Sequence, residues 1–276
     1  MKPAIALAYD YSTPFERCAA LAAEAGFRVV SLGMKVSYSG YDTAEGRRRI
    51  AEVLKENGLE LDNVHGGNGN LASPDESVRN KAVEDGIVAL EAAAELGASS
   101  VVFHVSGATP EKLDLSKQGA LRSVEALLER ARKLGVRVAV ENSWREEYMA
   151  VFRHVLAEFD DPHIAVCYDT SHDQLYGHGD MEVLEDYGRR LAVLHVSDNY
   201  GKNDDHLLPW DGVVDWGKFA SLLREAHFPG PMLLECVARG PQLEDLEGFV
   251  EEAFSRAERL ARMVEEGTWT KGERSR

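Results

Sequence analysis

Short apolar, β-branched runs recur along the chain, and longer stretches with helical spacing separate them. Residues 4–8, 27–32, 59–64, 99–105, 136–140, 164–168, 191–196 and 232–234 read as strands. Helical periodicity covers 15–25, 43–57, 76–96, 116–134, 146–159, 181–190, 216–226 and 243–265. Glycines at Gly26, Gly97 and Gly135 follow three of these helices, where a left-handed residue ends a helix, and Pro229 and Pro231 stop the chain before the last strand. Strand and helix therefore alternate through eight units. Near-continuous apolar strands point to a parallel sheet covered by helices, and eight such units close as a (β/α)₈ TIM barrel.

The length of 276 residues fits that architecture, since one complete barrel takes about 250. No linker divides the chain, so a single domain is expected over 1–266, followed by a polar, poorly ordered tail at 267–276. With 44% hydrophobic residues the chain can bury an ordinary core. Its three cysteines, Cys18, Cys167 and Cys236, form no C-x-x-C pair and read as buried, inert thiols.

Charge narrows the partners. The formal net charge of −16 repels phosphate backbones, which excludes nucleic acid as an expected partner. The start MKPAIALAYD has no signal-peptide pattern and no run approaches about 18 apolar residues, so a cytoplasmic protein without a membrane partner is expected.

The chemistry shows in how the apolar runs end. VVFH stops at His104, VAVE at Glu141, AVCYD at Asp169, LAVLH at His195, MLLE at Glu235 and LDNVH at His65. Each falls one βα unit after the last, and in a barrel all six converge on the mouth where such folds place their chemistry. One such residue is ordinarily a hydrogen-bonded loop group. Six in register, three carboxylates and three imidazoles, are costly to bury together without a cation, and a bound divalent metal is the simplest compensation. A carboxylate-rich set with imidazole suits Mn²⁺, Mg²⁺, Co²⁺ or Zn²⁺. Thr170-Ser171-His172 and a long polar loop carrying Asp198, Asp204 and His206 add to this mouth, and Tyr9, Tyr11, Trp144 and Trp210 are candidates for an apolar wall. His154, His163, His178 and His227 read as surface or structural. Gly66-Gly67-Asn68-Gly69-Asn70 lacks the phosphate-loop ending and reads as a flexible loop.

VAVENSW, VCYDTSHD, LHVSDNYGKNDDHLLPWDG and LLEC together resemble the xylose isomerase-like TIM-barrel superfamily, which includes sugar phosphate isomerases/epimerases, ketose 3-epimerases and endonuclease IV of AP endonuclease family 2. The resemblance spans essentially the whole chain and is specific for the superfamily, not for a substrate. It implies one divalent metal held by Glu141, Asp169, His195 and Glu235, with the two glutamates doubling as acid and base. Glu147 matches a substrate-binding glutamate and His172 a substrate-binding histidine of the ketose epimerases; His65, His104 and His206 join them as substrate-binding candidates. Where those epimerases carry an arginine, this sequence has His206.

The expected activity is a metal-dependent sugar or sugar phosphate isomerase or epimerase, moving a proton next to the carbonyl of a small polyhydroxy substrate through a cis-enediolate. A dehydratase or lyase on a keto-sugar or keto-inositol uses the same enolate chemistry. The resemblance to endonuclease IV implies a different site, three Zn²⁺ on nine ligands, for which His65, His104, Glu141, Asp169, His172, His195, Asp204, His206 and Glu235 are the candidates. A catalytically silent sugar- or metal-binding barrel is a third reading, and a homo-oligomer is left open because relatives are often dimers or tetramers.

Overall fold

The structure, a computed structural model, describes residues 1–267. Its strands are β1 (Pro3–Ala6), β2 (Val29–Leu32), β3 (Glu60–His65), β4 (Ser100–Phe103), β5 (Arg137–Glu141), β6 (Ile164–Asp169), β7 (Leu191–His195) and β8 (Met232–Leu234). Its helices are α1 (Phe15–Ala25), α2 (Val36–Ser39), α3 (Ala44–Glu56), α4 (Glu76–Leu96), α5 (Leu113–Leu134), α6 (Glu146–Glu158), α7 (Thr170–Tyr176), α8 (Glu182–Tyr187), α9 (Trp216–Glu225) and α10 (Leu246–Glu266). From β1 to β7 each strand pairs in parallel with its sequence neighbours, and β1 pairs with β8. A single parallel bridge between Val196 and Leu234 completes the circle. The fold is the expected (β/α)₈ barrel.

Side-chain alternation divides the core in two. Val101, Phe103, Val138 and Val140 belong to the larger apolar cluster that also takes in helix residues such as Leu90, Leu127 and Phe152. Ala4, Val102, Ala139, Ala165, Val193 and Leu233 form a separate cluster of smaller side chains that fills the inside of the barrel. Two positions further along five of those strands, the same inward parity reaches Ala6, His104, Glu141, His195 and Glu235. The pleat that buries alanines thus aims the ionisable groups into the mouth.

Two short helices, α2 and α7, interrupt stretches expected to be irregular. Neither carries an apolar period: α7 begins directly on the polar run Thr170-Ser171-His172-Asp173, started by Asp169 as its N-cap. The glycine stops after α4 and α5 take the left-handed conformation, with φ of 82° at Gly97 and 68° at Gly135. Gly267 caps α10 in the same way, so it belongs to the barrel; the rest of the expected tail lies outside the described residues. Among the described residues no helix is long and apolar enough to cross a membrane.

Candidate metal centre and cavity

Four groups meet at the C-terminal ends of β5 to β8. Glu141, Asp169, His195 and Glu235 each offer a ligand atom within 4.8 Å of the others, and Glu141 and His195 form a second such group with His65. His195 Nδ1 stands 3.0 Å from Glu141 Oε1 and 3.2 Å from Glu235 Oε2, so two carboxylates bracket one ring nitrogen. The imidazoles of His104 and His65 approach the other Glu141 oxygen at 3.2 and 3.6 Å. Glu141, Asp169 and His195 are almost fully buried, whereas Glu235 is 16% exposed.

Burial and charge compete at each group. At Glu141 burial works to raise the pKa, but His104 and His195 outweigh it and hold the carboxyl well below the ordinary range. Burial pushes Asp169 up to about 7, assisted by Glu141, Asp204 and Glu235 against the opposing His172. His195 is depressed by burial yet raised to about 9 by Glu235 and Glu141, whereas burial drives His104 down to about 4.

The residues fit a divalent cation. Glu141 Oε2 and Asp169 Oδ2 are buried and accept no hydrogen bond, and His65 Nδ1 is likewise without a partner. Buried polar atoms are ordinarily paired, so lone pairs left open beside imidazole nitrogens are the arrangement a cation would satisfy. The set contains oxygen and nitrogen donors and no thiolate, which matches Mn²⁺, Mg²⁺, Co²⁺ or Zn²⁺ without choosing among them.

The loops hold these side chains by an interlocked network. Asp169 uses its Oδ1 to accept the His172 backbone N–H at 2.7 Å, which caps α7. Asn142 ties β5 to β6: its Nδ2 donates to the Asp169 carbonyl at 2.9 Å and its Oδ1 accepts the Asp169 N–H at 2.7 Å. His172 Nδ1 meets the Asn142 carbonyl at 2.9 Å, turning Nε2 toward Asp204, 3.3 Å away. His206 follows the same plan, with Nδ1 on the Glu235 carbonyl at 2.9 Å and Nε2 3.0 Å from Asp204 Oδ2. Ser171 donates to the other Asp204 oxygen at 2.8 Å. Asp204 is held below its ordinary range by His172 and His206 despite burial, and His206 is raised to about 10 by Asp204 and Glu235 against burial.

A cavity of about 240 Å³ opens over this centre. His65, His104, Glu141, His172, His206 and Glu235 line it, together with Asp204, while Asp169 and His195 lie beneath. Its apolar wall is Tyr11, Met34, Trp144, Tyr148 and Val237 with Ala8.

Several sequence expectations land elsewhere. Glu147, in the first turn of α6, does not line the cavity; Tyr148, its neighbour, does. Tyr9 is buried with its hydroxyl on the Cys18 carbonyl at 2.6 Å, and Trp210 packs between Trp216 and the Arg259 guanidinium, so neither joins the wall. Asp198 is fully buried and structural: it accepts from the backbone of Trp210 and Val214 and from the Trp216 indole, folding the loop that presents Asp204. Cys236 borders the cavity, but its thiol donates to the Leu207 carbonyl, and burial raises the pKa of all three cysteines. Met34, Asn68, Ser106 and Asn142 carried no chemical signal in the sequence; only the N-S-W run beside Glu141 pointed toward Asn142.

A family model for the xylose isomerase-like TIM barrel matches residues 19–260. Protein y4fM of Sinorhizobium fredii is 28% identical over 271 residues, covering 87% of this chain and 86% of that protein. Protein MJ1311 of Methanocaldococcus jannaschii is 27% identical over 183 residues, 60% of each chain. Among solved structures, a D-tagatose 3-epimerase-like protein superposes with a TM-score of 0.79 at 20% identity, over 97% of this chain and 99% of that one. D-psicose 3-epimerase from Clostridium cellulolyticum H10 gives 0.74 at 18% identity, covering 96% and 99%. An AP endonuclease of family 2 from Brucella melitensis gives 0.68 at 20%, covering 86% and 92%. At these identities the solved structures establish the fold alone. The family model spans most of the chain, including β2 to β8, and the chain belongs to the xylose isomerase-like TIM-barrel family.

Proposed function

We propose that this barrel is a metal-dependent isomerase or epimerase of a small polyhydroxy carbonyl compound. The observation that carries the reading is the pair Glu141 and Glu235, set on either side of His195 at the floor of a small cavity with an aromatic wall. Glu141, Asp169, His195 and Glu235 would hold the metal. When bound, a divalent cation supplies Lewis acidity that polarises the substrate carbonyl.

The protein's own groups supply the rest. Glu141, kept ionised by its histidine neighbours, is suited to accept the proton next to the carbonyl. Glu235, more open to the cavity, returns a proton on the opposite face for an epimerisation or on the adjacent carbon for an isomerisation. Asp204, fixed between His172 and His206, whose ring nitrogens are all on protein acceptors, is left to accept from hydroxyls, and Tyr11, Trp144 and Tyr148 exclude water from the carbon skeleton. The similarity to ketose 3-epimerase structures supports this choice within the family. Glu141→Gln or Glu235→Gln should abolish deuterium uptake from solvent into the substrate, read by proton NMR; undiminished exchange in either variant refutes the assignment.

A second reading rests on a separate observation. The nine donors fall into three neighbouring groups, with His65 and His104 on Glu141, the four-residue centre, and His172 and His206 on Asp204. That is the donor set for an endonuclease IV-like trinuclear zinc phosphodiesterase, and a family 2 endonuclease is among the similar folds. The charge of −16 opposes a nucleic acid substrate. Metal analysis of the purified protein separates the two: one ion per chain supports the isomerase, about three zinc the hydrolase.

A further inference from the structure

Asn68 borders two cavities at once, the small one over the donors and a second groove of about 850 Å³. The groove lies between the 66–70 loop and the first turns of α4, with Val78, Lys81 and Asp85 on the helix side and Tyr41 and Asp42 across from them. Glycine lets this loop lie flat on its supports: a Cβ on Gly66 would stand 2.4 Å from the Phe103 ring, and one on Gly69 2.7 Å from the Ala82 Cβ. What remains is a polar surface facing the open space. Among the described residues the backbone N–H groups of Gly67, Asn68, Gly69 and Asn70 donate to no protein group, and the Asn68 carboxamide has no partner.

Charge decides what this surface takes. Among the described residues no Lys or Arg lines the inner cavity, which presents Glu141, Asp204 and Glu235. Lys81 in the groove is already paired with Asp85, and Asp42 stands nearby on the opposite wall. Among its lining residues the groove offers a phosphate no unpaired Lys or Arg, whereas an uncharged hydroxylated ring finds donors and acceptors without a desolvated ion. The inner cavity is also smaller than the roughly 300–1,000 Å³ of sites that enclose larger ligands. It holds one small unit, and Asn68 is where that cavity adjoins the groove.

We infer that the groove is a subsite for a second, uncharged sugar unit: the substrate is a neutral keto-sugar glycoside, its reacting ring over the donor centre and its linked ring beside the 66–70 loop. The reacting half rests on the isomerase reading; the groove does not. The test compares D-fructose, fructose 6-phosphate and the ketose disaccharides turanose, maltulose and palatinose with the metal-loaded protein, reading solvent deuterium uptake. At least one disaccharide should exceed fructose in kcat/KM by about tenfold or more, since remote binding energy is realised at the reacting centre. That ratio should fall toward one in Val78→Trp, which fills the groove from α4, and fall partway in Asn68→Ala. Binding is read separately by saturation-transfer NMR with the unreactive alditols maltitol and lactitol: protons of the glycosyl ring should be saturated in the parent and not in Val78→Trp. Unsaturated glycosyl protons, fructose equal to every disaccharide, or preference for fructose 6-phosphate overturns the subsite. Alditol binding without exchange of any ketose leaves the subsite standing and removes the isomerase reading.

Discussion

The two sides of the barrel mouth are built on different physical principles. On the side of β5 to β8, each functional side chain is fixed by at least one other: Asp169 by Asn142, His172 by Asn142 and Asp204, His206 by Glu235 and Asp204. On the side of β1 to β3, Tyr11, Met34 and Asn68 face the cavity from loops, and Tyr11 is 37% exposed. The first side is preorganised by desolvated charge and hydrogen bonds, and the second offers shape and unspent donors. Chemistry and recognition are thereby separated, so variants on the two sides should fail differently.

The largest effect should come from Asp169→Asn, which weakens one donor while keeping the size of the side chain. Metal content should fall far below one ion per chain and turnover by about a thousandfold, the scale of several kcal/mol of lost charge stabilisation. A variant retaining full metal and activity would remove Asp169 from the centre. Next, Asn142→Ala touches no substrate but removes the side chain that holds the end of β6 at Asp169, leaving the backbone carbonyl under His172 in place; metal affinity and kcat should drop about 10- to 100-fold. An unchanged metal affinity would show that the network is ornamental to the centre.

A pH titration of the metal-free protein sharpens the same contrast. His195 and His206 are raised to about 9 and about 10, so the stability gained by protonating them is complete below their ordinary value and is lost as pH climbs through those values. Asp169, raised to about 7, titrates below that window. Melting temperature should therefore decline between pH 7 and 9, by about 5 °C, and the decline should shrink to the His206 part when metal holds His195 neutral. A level profile without metal would contradict the ion pairs. The smallest effect belongs to the opposite side: Met34→Ala should raise KM about two- to fivefold with metal content and Tm nearly unchanged, because only apolar contact with the substrate is trimmed.

The strands, the barrel and the convergence of six ionisable residues were legible because all three follow from backbone periodicity. An inward parity that buries Ala139 must also aim Glu141 inward. What periodicity does not govern stayed hidden. Asn142 works through backbone contacts 27 residues away, and the N-S-W run beside Glu141 marked its place without showing that role. Tyr148 was missed because sequence spacing does not say which residue of the first turn of α6 lines the cavity; Tyr148 does and Glu147 does not. Trp210 was misplaced because Asp198, an apparent site carboxylate, holds its backbone N–H, and its ring packs beside Trp216 and Arg259 rather than on the cavity.

The ring is stitched shut at one place. Between β7 and β8 the backbone contributes only the bridge around Val196, with its N–H on Leu233 and its carbonyl receiving the Glu235 N–H. His195 and Glu235 stand on opposite lips of that seam and reach across it with their side chains. The joint with the sparsest main-chain stitching is thus the one spanned by the reactive groups, whose ion pair reinforces the seam.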